Sequence, residues 1–297
     1  MTDQRTPPIP PQNSDMATPG RVVCDHFIAL CGYETRIRQW GQPSKPAIIM
    51  VHGLARLSHD FDILASQLAD DYFILCPDII GRGCSAWANT PDEEYVPAFY
   101  ARQMIEMMDH FNIDRCSWIG TSMGGIIGMV VTSLMPERIE RLLLNDMGPE
   151  LAQEAVDRIK AYVGGTPEFA SIAEIDAALR NIYAPFGLSN DAEWRELAMN
   201  SARRLPNGKF AMHYDSRVMD VFRDQIDDYD AWDIFNAITC PVTLFSGAKS
   251  DLIPQKIVKK MQSAKPEMQV LSLENCGHAP YLNTRAQIEA VKIFLKR

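Results

Sequence analysis

Gly120-Thr121-Ser122-Met123-Gly124-Gly125 stands directly behind Cys116-Ser117-Trp118-Ile119, and this junction decides the fold. The first four residues read as a short buried strand, and Ser122–Leu134 carries a helical pattern. A G-x-S-x-G segment between strand and helix bends the chain sharply and holds the serine in a strained conformation. Small flanking residues let the strand and the helix pack closely around it. This places Ser122 Oγ above the C-terminal edge of a sheet, beside the positive end of a helix dipole. Ser122 is therefore the candidate nucleophile.

The neighbouring sequence supplies the sheet. Ala47–Val51 (AIIMV) and Arg141–Asn145 (RLLLN) are continuous apolar runs, as expected of strands buried on both faces. Tyr72–Cys76, Val242–Phe245 and Gln269–Leu273 read as further strands, and Phe27–Cys31 with Thr35–Trp40 as a hairpin. Helical patterns intervene near 61–68, 96–111, 255–261 and 284–296. Strands alternating with helices specify an α/β fold with a parallel sheet covered on both faces. The alternation stops at Gly148-Pro149, and residues 150–236 show helical stretches without a clear buried strand. The expected organisation is a loosely ordered proline-rich tail (1–20), a core built from 21–149 and 237–297, and a helical cap (150–236). Eleven of the 26 aromatic residues fall in the cap, where they either build a small core or line an apolar pocket.

Composition narrows the function classes. The 297 residues carry a net charge of −9, which disfavours a phosphate-backbone binder. Nothing approaches the roughly 18 consecutive apolar residues of a membrane span. The seven cysteines are odd in number and irregularly spaced, which suits free thiols in a reducing compartment rather than a disulfide scaffold. No tight Cys/His cluster suggests a metal site. The first twenty residues hold five prolines and no apolar signal region, so a cytoplasmic location is expected.

A serine hydroxyl needs a base, oriented in turn by a third group. His278 follows the strand Gln269–Leu273, on the same sheet edge as Ser122, and is the expected base. His213 lies in the cap, and His26, His59 and His110 precede the nucleophile as packing or surface residues. For the acid, Asp251 in the loop Gly247-Ala248-Lys249-Ser250-Asp251 fits best. Asp146, after Arg141–Asn145, competes, although a role at the cap hinge suits it better. Glu274 sits too close to its strand end. The expected oxyanion donors are the backbone N–H groups of Met123 and of Leu54, the latter turned inward by Gly53. His52 would brace that loop by hydrogen bonding. Arg56 could bind a substrate carboxylate, but reads more readily as a solvated surface residue.

His52-Gly53-Leu54-Ala55, the segment 77–85 (PDIIGRGCS), the elbow at 120–125, the segment 246–251 (SGAKSD) and Gly277-His278-Ala279-Pro280 together resemble the α/β-hydrolase superfamily. The resemblance implies an eight-stranded, mostly parallel sheet, an inserted all-helical lid and a Ser122–His278–Asp251 triad, with the 78–85 loop structural. It also implies no metal or organic cofactor. A serine at the elbow disfavours the dehalogenase and epoxide hydrolase branches, which place aspartate there. The expected activity is hydrolysis of a small, fairly hydrophobic ester or lactone through an acyl-enzyme. The alternatives are a carbon–carbon bond hydrolase acting on aromatic ring-cleavage products, a slowly hydrolysing ligand receptor and a non-catalytic interaction module. No nucleic-acid or membrane partner is expected, and the sequence leaves the oligomeric state open.

Overall fold

The computed structural model describes residues 24–162 and 167–296. The proline-rich tail expected over residues 1–20 lies outside them. Among the described residues ten strands occur: β1 (Cys24–Leu30), β2 (Tyr33–Trp40), β3 (Ala47–Val51), β4 (Phe73–Pro77), β5 (Cys116–Thr121), β6 (Ile139–Asn145), β7 (Ala202–Arg204), β8 (Phe210–Met212), β9 (Val242–Gly247) and β10 (Gln269–Leu273). Eight form one sheet in the order β1-β2-β4-β3-β5-β6-β9-β10. The pairs β1·β2 and β2·β4 are antiparallel, and the remaining pairs are parallel. This matches the eight-stranded, mostly parallel sheet expected from the sequence.

The period-2 alternation of each central strand feeds two cores. On one face Ile49 and Val51 of β3 pack with Trp118, Leu142 and Leu244, beneath helices α3 (Pro97–His110) and α4 (Met123–Leu134). On the other face Ile48 and Met50 pack with Ile119, Leu143 and Phe245, beneath α1 (Asp62–Leu68) and α11 (Arg285–Lys296). The short α2 (Pro91–Glu94) precedes α3, and α10 (Gln255–Ala264) joins β9 to β10. Burial on both faces explains the unbroken apolar runs of β3 and β6.

Between β6 and β9 the chain leaves the sheet. It forms α5 (Gln153–Tyr162), α6 (Ile172–Ile182), α7 (Asp191–Ser201), α8 (Arg217–Gln225) and α9 (Trp232–Ala237). The insertion is helical apart from β7 and β8, which pair as a short antiparallel hairpin that the sequence did not signal. Ile175, Leu179, Trp194, Leu197 and Ala198 give it a small core of its own. Hydrogen bonds from Gly83 N to His213 O (2.8 Å) and from Asp215 N to Gly81 O (2.7 Å) tie it to the 78–85 loop. Of the cysteines, all free, Cys76, Cys116 and Cys276 are buried while Cys24 and Cys84 are exposed. No helix among the described residues is long and apolar enough to cross a membrane.

Strand register positions the site. Val51 pairs with Gly120, Thr121 with Asn145, and Asn145 with Phe245, while Gly247 pairs with Leu273. The chain segments leaving β3, β5, β6, β9 and β10 therefore emerge side by side along one edge, the arrangement in which open α/β sheets hold ligands.

Candidate active site

Ser122 joins β5 to α4 with φ 51° and ψ −118°, a left-handed conformation costing a non-glycine residue about 1–3 kcal/mol. The two flanking glycines are fixed by contact. A Cβ on Gly120 would lie 2.2 Å from Gly124 O, and one on Gly124 would lie 2.0 Å from Val51 O. The turn therefore closes only with no side chain at either position. Its tightness directs Ser122 Oγ to the imidazole of His278, which it meets at 3.0 Å from Nε2.

The other imidazole nitrogen settles which carboxylate partners His278. Nδ1 lies 2.8 Å from Asp146 Oδ2, and Asp146 is fully buried. Gly247 N–H donates to Asp146 Oδ1 at 3.0 Å, and Ser250 Oγ donates to Oδ2 at 2.6 Å. A carboxylate accepts only, so His278 donates from Nδ1, which leaves Nε2 free to accept the Ser122 proton. Asp251, the acid expected from the sequence, is not at this site. Its half-exposed carboxylate makes a two-point ion pair with Arg158, at 2.6 and 2.8 Å, and does not border the cavity.

β6 and β9 are neighbours in the sheet although the whole insertion separates them along the chain, so the loops that follow them emerge side by side next to the histidine loop. Asp146 has φ 55°, which aspartate tolerates better than most residues. Its N–H is held by Phe245 O at 2.7 Å, fixing the turn that carries its side chain. The loop after β9 meets the histidine loop through backbone instead: a Cβ on Gly247 would lie 2.3 Å from Gly277 O. That segment contributes an N–H and the Ser250 hydroxyl to Asp146 and then turns outward before residue 251. Glu274 is exposed and takes no part.

Ser122, His278, Leu54 and Met123 all border one cavity of about 310 Å³ beneath the insertion. Met123 is the first residue of α4, so its N–H belongs to the set a helix leaves unbonded. Leu151, Phe169, Tyr183, Phe186, Tyr214, Phe222 and Tyr229 of the insertion line the cavity, with Ile126 and Met147 from the core side. Trp194 and Phe235 are instead buried in cores, so the insertion's aromatics serve both purposes. Among the described residues no cluster of three His, Cys, Asp or Glu side chains could hold a metal ion.

Residues 46–284 match the alpha/beta hydrolase fold family. The chain belongs to that family. It is 36% identical to a 3-hydroxybutyrate-oligomer hydrolase of Cupriavidus necator over 260 residues, covering 84% of this chain and 88% of the relative. It is 24% identical to esterase YbfF of Escherichia coli over 238 residues, covering 80% and 87%. An alpha/beta hydrolase structure from Novosphingobium aromaticivorans superposes with a TM-score of 0.82 at 29% identity, covering 92% of this chain and 98% of that one.

Two features of this hydrolase depend on contacts that the sequence does not show. Arg82, in the 78–85 loop, is fully buried and donates to Leu54 O (2.9 Å), Ile80 O (2.8 Å) and the Tyr100 hydroxyl (2.7 Å). Its Nη2 lies 3.2 Å from Met123 Sδ, so one guanidinium braces both residues expected to donate to an oxyanion. The Asn145 amide donates to Thr121 Oγ1 (3.0 Å) and Pro280 O (2.8 Å), tying the ends of β5 and β6 to the histidine loop. Arg56 is also corrected: it is 4% exposed and borders the cavity, not a solvated surface residue.

His52 braces the Gly53 loop as expected. Its Nδ1 donates to Gly53 O at 2.7 Å and its Nε2 accepts from Ile79 N–H at 3.1 Å. Complete burial pushes its pKa down from 6.5 to about 4. The unfolded chain thus binds the proton first, and stability present above about pH 6.5 is lost as pH falls toward 4. The loss amounts to about 3 kcal/mol for this group. Thermal melts between pH 7 and 4 should show that decline, and it should be smaller in His52→Asn, which cannot take up the proton. An unchanged slope in that variant would assign acid sensitivity elsewhere.

Proposed function

We propose that this hydrolase cleaves small, fairly hydrophobic carboxylic esters or lactones by a serine mechanism, with Ser122, His278 and Asp146 as its triad. The Ser122–His278–Asp146 hydrogen-bond chain, opening on a largely apolar cavity, carries the reading. Ser122 Oγ attacks the ester carbonyl as His278 Nε2 takes its proton. The N–H groups of Leu54 and Met123 receive the developing oxyanion. His278 then returns the proton to the leaving alcohol. A water molecule, deprotonated by the same nitrogen, attacks the acyl-enzyme to release the acid and restore Ser122. Asp146 orients the imidazole and stabilises its charged form throughout.

The cavity supports a compact substrate, being near the lower end of ligand-site volumes. The 3-hydroxybutyrate oligomers named for the Cupriavidus relative are small aliphatic esters of this kind. The insertion acts as the cap that closes over them.

A panel of p-nitrophenyl esters of increasing acyl length, with lactones and a ring-fission dienoate alongside, tests the assignment. Short and medium esters should turn over fastest. A preference for the dienoate would instead identify a carbon–carbon bond hydrolase.

A further inference from the structure

Beyond the triad, one charged pair borders the catalytic cavity from the loop after β3. Arg56 Nε and Nη2 donate to the two carboxylate oxygens of Asp60 at 2.9 and 2.5 Å, and Nη1 donates to Ser201 Oγ at 2.9 Å. The Tyr183 ring lies 5.0 Å from the guanidinium carbon, and the Tyr281 hydroxyl donates to Asp60 Oδ1 at 3.3 Å. Arg56, Asp60, Tyr183 and Tyr281 all border the cavity that holds Ser122. Gly53 lies between the stem of Arg56 and the nucleophile: a Cβ there would lie 3.6 Å from Arg56 Cγ and 3.6 Å from Ser122 Cβ.

Burying a cation in the wall of an apolar pocket is costly, and a residue needed only for shape would not require it. Arginine offers five N–H donors, and the three bonds above leave one on each terminal nitrogen. Those donors can serve a substrate oxygen. Asp60 already neutralises the cation, so a substrate carboxylate would bring an uncompensated negative charge beside the aspartate. An uncharged carbonyl accepts the same hydrogen bonds without that penalty.

We propose that Arg56, held by Asp60 and Ser201, forms a subsite for a second, uncharged carbonyl oxygen, so that the preferred substrates are esters bearing a further ester group close to the scissile bond. The inference rests on the serine-hydrolase reading and adds the substrate class. It makes Arg56 the specificity-determining residue and Asp60 the reason that a free carboxylate is rejected at this subsite, while one farther along the substrate is not.

Three p-nitrophenyl esters of similar length test it: the hexanoate, the methyl succinate and the hemisuccinate, with nitrophenolate release reporting the same bond in each. An acetate series with the extra group on the alcohol repeats the comparison on the other side of the scissile bond, by titration of released acid. In one of the two series the uncharged diester should exceed its aliphatic match in kcat/KM by about tenfold or more, and the free acid should fall below both. Arg56→Met should bring the diester-to-aliphatic ratio close to one. Asp60→Asn should raise the free acid relative to the diester by about tenfold. The wild-type comparison stands even where a variant fails to fold, which melts will reveal.

Equal wild-type rates for diester and aliphatic ester in both series would overturn the subsite and leave the serine mechanism untouched. So would a wild-type preference for the free acid. Failure to hydrolyse any of these esters would instead remove the underlying functional reading, and the subsite with it.

Discussion

Replacing Ser122 by alanine should lower kcat/KM on a short p-nitrophenyl ester by about four to six orders of magnitude, with the fold intact. In the proposed mechanism the oxygen removed is both the attacking atom and the atom held 3.0 Å from His278 Nε2, so no neighbour can substitute for it. Fold retention follows from the surroundings. The turn is closed by backbone packing at Gly120 and Gly124 and by the hydrogen bond from Ser122 N to Asn145 O (3.0 Å), and alanine preserves all of these. The same variant should resist covalent labelling by an organophosphonate, read by mass spectrometry as the absence of an adduct on the elbow peptide. Turnover within tenfold of wild type in a well-folded sample would sink the serine mechanism.

The elbow was legible because one short segment satisfies several constraints at once. A strand running into a helix with no loop leaves a left-handed turn at its centre and no room beside it, and glycine at 120 and 124 records that crowding in the sequence. The sheet was legible for a related reason. Strands such as β3, buried on both faces, must be apolar throughout, whereas the β7–β8 hairpin has only three residues per strand and leaves no periodicity to read. Long-range pairing was less accessible. Arg82 and Arg56 look like ordinary loop residues until the insertion folds over them, with Tyr214 bridging to Arg82 and Ser201 accepting from Arg56. Chain order places two carboxylates after two adjacent strands and does not say which loop presents a side chain and which presents backbone.

That ambiguity sets the second large effect, a contrast between two aspartates. Asp146→Asn should lower kcat by about four orders of magnitude with little change in KM. Asparagine keeps the shape, but its amide nitrogen can face His278 Nδ1 only as a donor. The imidazole must then carry its proton on Nε2, where it cannot accept one from Ser122. Rotating the amide so that its oxygen faces Nδ1 turns its nitrogen toward Gly247 N–H, a donor, and so exchanges one conflict for another. Asp251→Asn should change kcat by no more than about twofold, because it weakens only a half-exposed ion pair with Arg158, of a kind contributing about 0–1 kcal/mol. Ser250→Ala should fall between them: it removes one donor from Asp146 Oδ2 and leaves the contact with His278 in place. Steady-state rates for the three variants, each checked by a melt, decide the acid. If Asp251→Asn lost more activity than Asp146→Asn, the loop after β9 would have to swing its carboxylate inward in the working enzyme. That movement would break the Arg158 pair and displace Ser250 from Asp146, so Ser250→Ala would then leave the rate unchanged.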